Sequence, residues 1–151
     1  MNKQLGFTLI ELLIVTTVLA VLLGVGVPSF RDTIQSNRIA TVSNDLIGAL
    51  QFARSESIRR GEDVTFCSTN DQATCSGAWT NGWVVRNAAG PLRVWPSTRE
   101  GVAIAVGGAA VFNSLGGAAA ARCFQVDLGT YQRSVTVGAG GRVGSAVAAC
   151  P

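Results

Sequence analysis

Residues 6 to 30 read GFTLIELLIVTTVLAVLLGVGVPSF, a long apolar run broken by one ionisable side chain, Glu11. From Phe7 to Val27 the run makes a helix of roughly 30 Å, the thickness of a bilayer's hydrocarbon core. A single membrane-spanning helix is therefore expected. A charge inside such a span costs roughly 2.5–3.5 kcal/mol at the helix centre, less near an end, and usually answers to a partner. The helix's own N-terminus offers Glu11 one, worth roughly 0.3–1 kcal/mol at exposed sites.

Ahead of the run stands MNKQLG, whose only charged side chain, Lys3, keeps this end on the cytoplasmic side. A secretory signal would place a small-x-small cleavage site after a shorter apolar stretch. Here the first such pattern is Gly24-Val25-Gly26, which runs straight into Pro28. Gly24 and Pro28 instead predict a helix break, a kink or local melting. Pro28 cannot donate to the Gly24 carbonyl, and glycine is a poor helix former.

Beyond Phe30 about 120 residues remain, enough for one small domain and too few for two. From Phe7 onward the chain carries 11 arginines against 9 acids, a net charge of +2. It contains no histidine, which removes the commonest general base and a common metal ligand. No nucleophile stands beside a base either. A protein that is not an enzyme, with no catalytic residues, no cofactor and no metal, is expected.

Between Arg31 and Arg60 the apolar positions Ile34, Ile39, Val42, Leu46, Leu50, Ala53 and Ile58 recur at steps of three to five, which predicts an amphipathic helix. It continues the apolar helix and stops at Gly61, a residue suited to a left-handed C-cap. Arg59 and Arg60 then sit at the negative end of the helix dipole. After Gly61 short runs rich in valine and aromatics alternate with Gly, Pro, Asn and Ser, the mark of strands and turns. Eight strands are expected: 64–67, 82–86, 92–95, 102–106, 110–112, 123–128, 134–137 and 142–147. Trp79, Trp83 and Trp95 have the ordinary role of tryptophan in a small β domain, filling its core, with a sugar- or base-binding face as the alternative.

Cys67, Cys75, Cys123 and Cys150 lie in the part of the chain that the anchor places outside the cytoplasm, where disulfides form. Cys67 with Cys75 would close a short loop and leave Cys123 for Cys150, one of three connectivities that spacing leaves open. A four-cysteine metal site would need C-x2-C knuckles, which the sequence lacks.

Gly6-Phe7-Thr8-Leu9-Ile10-Glu11 resembles the prepilin signature of type IV pilins and type II secretion pseudopilins. The resemblance implies that a prepilin peptidase cuts between Gly6 and Phe7, that the new Phe7 amine is N-methylated, and that the apolar helix stays. It also gives Glu11 a second partner, the Phe7 amine of a neighbouring subunit, in a pair whose desolvation is met only when charge meets charge. The stretch from Leu50 to Gly61, and the order Cys67, Cys75, Trp79, Gly82, Trp83, Leu92-Arg93-Val94, resemble the GspH/FimT class of minor pilins and pseudopilins.

That resemblance implies an α+β, pilin-like fold: a long N-terminal helix, membrane-spanning and then amphipathic, packed against a mainly antiparallel β head. Its parts would be a leader at 1–6, an assembly helix at 7–30, an amphipathic continuation at 31–61 and a head at 62–151. The implied function is that of a minor pilin, FimU- or FimT-like, which primes or caps a type IV pilus. Other major and minor pilins, the prepilin peptidase/N-methyltransferase and an inner-membrane assembly platform would be its partners. The implied location is the inner membrane with the head in the periplasm, then the filament. A GspH-like pseudopilin of a type II secretion system is the first alternative. A head that binds DNA for uptake is the second, resting on Arg122, Arg133 and Arg142. Against it, the Gly-Arg-x-Arg pattern of the FimT branch reads Gly141-Arg142-Val143-Gly144 here, without its second arginine.

Overall fold

The computed structural model describes residues 7–96, 98, 101–106 and 108–150, with backbone alone for 25–29 and 106. The expected leader, with Gly6 of its cleavage site, lies outside the described residues. Two compact units divide between Gln35 and Ser36. One helix, α1 (Leu9–Arg60), contributes to both. Its backbone is helical across Gly24 and Pro28, where the sequence predicts a kink or local melting. Proline at 28 removes one donor to one carbonyl, and the turns on either side keep their own bonds.

In the second unit α1 buries Ile39, Val42, Ser43, Leu46, Ala49, Leu50, Ala53 and Ser57, a face that repeats every three or four residues. Ile34 and Ile58, expected on this face, are 43% and 53% exposed. Four residues on from Ala53 the inward position belongs to Ser57, and Ile58 is turned about 100° away from it. Small Ser43 and Ser57 fit there because their hydroxyls bond the carbonyls of Ile39 and Arg54, each at 2.8 Å. The helix ends as expected. Gly61 adopts φ +69°, and the N–H groups of Gly61 and Glu62 both return to the Ser57 carbonyl, at 2.9 and 3.3 Å.

All eight expected strands form: β1 (Val64–Ser68), β2 (Trp83–Asn87), β3 (Gly90–Trp95), β4 (Ala103–Val106), β5 (Ala110–Phe112), β6 (Arg122–Leu128), β7 (Tyr131–Val137) and β8 (Val143–Ala146). They make two antiparallel sheets, ordered β3-β2-β1-β5 and β4-β6-β7-β8. β7 begins at Tyr131, three residues before its expected start. Gly129 at φ +59° allows a two-residue turn, so Tyr131 pairs at once with Leu128. Alternate residues of β1 (Val64, Phe66), β6 (Phe124, Val126) and β7 (Val135, Val137) point inward with Trp83, Val85 and Phe112, forming one core with the helix face.

Candidate assembly site

At its N-terminus α1 opens on Thr8, whose Oγ1 accepts the Glu11 backbone N–H at 3.3 Å. Thr8-Leu9-Ile10-Glu11 thus has the spacing of a capping box, with threonine at the cap and glutamate three residues on. Thr8 carries no charge and is not among the residues expected at this site. The T-x-x-E pattern ahead of an apolar run was its signal. The Glu11 carboxylate itself has no hydrogen bond or ion pair among the described residues. Around it every large apolar side chain from Phe7 to Leu23 is exposed, Phe7 at 82% and Leu9 at 78%. A helix that is apolar all round belongs inside a larger apolar environment. Thr16 and Thr17 suit such surroundings, since their hydroxyls both bond the Leu13 carbonyl, at 3.0 and 2.7 Å. Among the described residues no helix is long and apolar enough to cross a membrane; the span expected from Phe7 to Val27 includes residues 25–27, of which the backbone alone is described.

At the other end of α1, Glu56 draws both arginines of the last turn. Arg59 donates Nε and a terminal nitrogen to it at 3.0 and 2.6 Å, and Arg60 donates Nε at 2.7 Å. The Arg59 hydrogen bonds, and then that of Arg60, lower the carboxyl to about 2. These arginines thus do more than face the helix dipole. Arg54, one turn earlier, lines a groove of about 360 Å³ with Gln51, Ser55, Ile58, Arg142 and Val143.

The structure distributes the three candidate DNA-contacting arginines differently. Arg122 bonds the Ala109 carbonyl at 2.9 Å and is half-buried. Arg133 pairs with Val126, four residues along β6 from Arg122. Arg142 is exposed, directly ahead of β8.

The head is closed by Cys67–Cys75 and Cys123–Cys150, with Cα atoms 5.4 and 5.9 Å apart. Inside the first loop the Asp71 carboxylate accepts the Thr74 hydroxyl at 2.6 Å and the Thr74 and Ala73 N–H groups at 2.8 and 3.0 Å. These bonds, the hydroxyl's first, hold it well below the usual carboxylate range. The Cys150 N–H is also anchored, at 2.6 Å, by the Gln125 side-chain oxygen. The tryptophans serve the core: Trp83 is 2% exposed, and Trp79 packs against Phe66 and Phe124 with ring centres 5.3 and 5.4 Å away. Trp95 meets Phe52 edge-on, and Arg93 stacks over both rings.

A capped apolar helix that continues into the core of a two-sheet, disulfide-closed head defines the pilin-like class of α+β subunit. The chain belongs to the GspH family: the family model described as "Type II transport protein GspH" matches residues 42–141. A second model, the prokaryotic N-terminal methylation motif, matches residues 1–27. Two crystal structures of the type IV minor pilin FimU from Pseudomonas aeruginosa share the fold, with TM-scores of 0.60 and 0.58. They cover 77% and 71% of this chain and 90% and 91% of their own, at 19% and 18% identity. A type IV major alpha-pilin of Moraxella bovis is 41% identical over 46 residues, which is 30% of this chain and 29% of that pilin. The chain therefore spans under a third of that relative's length.

Proposed function

We propose that the chain is a minor structural subunit of a type IV pilus, priming or capping the filament. The observation that carries this reading is the exposed apolar helix of the first unit, beginning beside a carboxylate that nothing among the described residues pairs. In the proposed cycle the helix from Phe7 to Val27 enters the inner membrane with the head in the periplasm. A prepilin peptidase cuts after Gly6 and methylates the Phe7 amine, and an inner-membrane platform passes the subunit into the filament. There the Glu11 carboxylate meets the Phe7 amine of the next subunit, and the apolar faces bury one another. Two charges matched in an apolar stack fix register, because a slip strands both.

A second reading, a minor pseudopilin of a type II secretion system, is favoured by the name of the matching family model. Deleting the gene and measuring twitching motility and exoprotein secretion separates the two. Lost motility with normal secretion is expected. Lost secretion with normal motility would overturn the pilus reading in favour of the pseudopilus.

A further inference from the structure

The groove between α1 and the turn from β7 to β8 carries a charge that nothing within it answers. Two of its six lining residues, Arg54 and Arg142, are arginines, and none is an acid. Arg54 Nε is closed off from solvent and has no hydrogen-bond partner among the described residues. By contrast Arg59 and Arg60 share Glu56, and Arg122 takes a carbonyl. The turns carrying Gly116 and Gly141, both at positive φ, pack closely here: a Cβ at Gly116 would meet Ile58 and one at Gly141 would meet the Gly116 carbonyl, and either would come within 3.2 Å of Arg54 Nε. A cation partly stripped of water gains more from an anion than a solvated one does.

Beside the groove lies a sheet edge with no further strand paired to it among the described residues. β8 ends the order β4-β6-β7-β8, and its first residue, Val143, also lines the groove. Gly144, Ser145, Ala146 and Val147 are exposed. The stretch contains no charge and no proline, the devices that usually protect an edge from another strand. Edge N–H and C=O groups are complemented by a polypeptide backbone. Nucleic acid fits less well, since its binding scales with the number of phosphates neutralised and two arginines make a short track.

We propose that the groove and the β8 edge receive an extended acidic segment of a neighbouring subunit, its backbone added to β8 and its carboxylate held by Arg54 and Arg142. This rests on the reading of the chain as a filament subunit. The interface would be made by the head, separate from the helix packing at Glu11.

A photo-crosslinking phenylalanine analogue placed at Ser55 of the full-length chain, in the cells that produce it, tests the proposal. The expected product is a crosslink to a polypeptide, mapped by mass spectrometry to a segment containing Asp or Glu. Its yield should fall about tenfold or more when Arg54→Gln and Arg142→Gln are combined, the effect of losing a charge pair worth one decade of affinity. Arg142→Glu alone should lower it as well, and being exposed it leaves folding intact. A crosslink to DNA, no crosslink, or a polypeptide crosslink of unchanged yield in Arg142→Glu would overturn the proposal. Failure of the subunit reading looks different, because the unsubstituted chain would then be missing from sheared filaments.

Discussion

Glu56 and Glu11 are both glutamates of α1, and their surroundings differ. Glu56 is satisfied inside the chain by Arg59 and Arg60 and is lowered from 4.5 to about 2. A carboxyl depressed on folding adds stability that is fully present above its unfolded value and is lost as pH falls toward its folded one. Glu56→Gln should therefore lower the melting temperature at pH 7. It should also flatten the decline of melting temperature between about pH 4.5 and pH 2. Thermal unfolding followed by circular dichroism checks this, and parallel curves for both proteins would show that the pair adds nothing. Glu11 has no such arginines among the described residues, and its cation is the one proposed on a neighbouring subunit. Apolar context made Glu11 conspicuous in the sequence. Arg54 was invisible there, because its surroundings include Gly116 and Gly141, more than sixty residues away in the chain.

The elements were largely legible because each obeys a local rule. β1, β2, β5 and β6 stand where valine and aromatic runs are bounded by turn residues, and Gly61 stops α1 by taking the left-handed conformation its type favours. What local rules missed came from phase and from pairing. Hydrophobicity put Ile58 inward, whereas helical phase, fixed by Leu46, Leu50 and Ala53, gives that place to Ser57. A larger side chain at 57 overpacks the core. Ser57→Leu should cost about 1–3 kcal/mol, while Ile58→Ser should stay within about 0.5 kcal/mol. Denaturant titration of both variants decides it, and the reverse order would mean that the face is misassigned. The start of β7 at Tyr131 likewise reflects its pairing with β6 through a tight turn, a fact about two strands that neither strand's composition holds.

For the whole molecule, two covalent clips hold the head, and the proposed task of the apolar helix is to join that head to its neighbours. Cys123 and Cys150 lie 27 residues apart. In the chain-entropy model, opening a loop of that size costs roughly 3–4 kcal/mol. The Cys123→Ser, Cys150→Ser variant should melt roughly 10–20 °C lower than the unsubstituted protein. Gln125 would lose the chain end it anchors, and an unchanged melting temperature would show that the tail is held by other contacts. Such a variant weakens the head and leaves Glu11 in place. The claim that membership of the filament is written at Glu11 is tested most directly by mass spectrometry of filaments sheared from cells producing the chain or its Glu11→Val form. The wild-type subunit is expected to begin at N-methylated Phe7, and the Glu11→Val subunit to be cut after Gly6 in the membrane yet depleted from filaments. Equal amounts of the two in sheared filaments would contradict it.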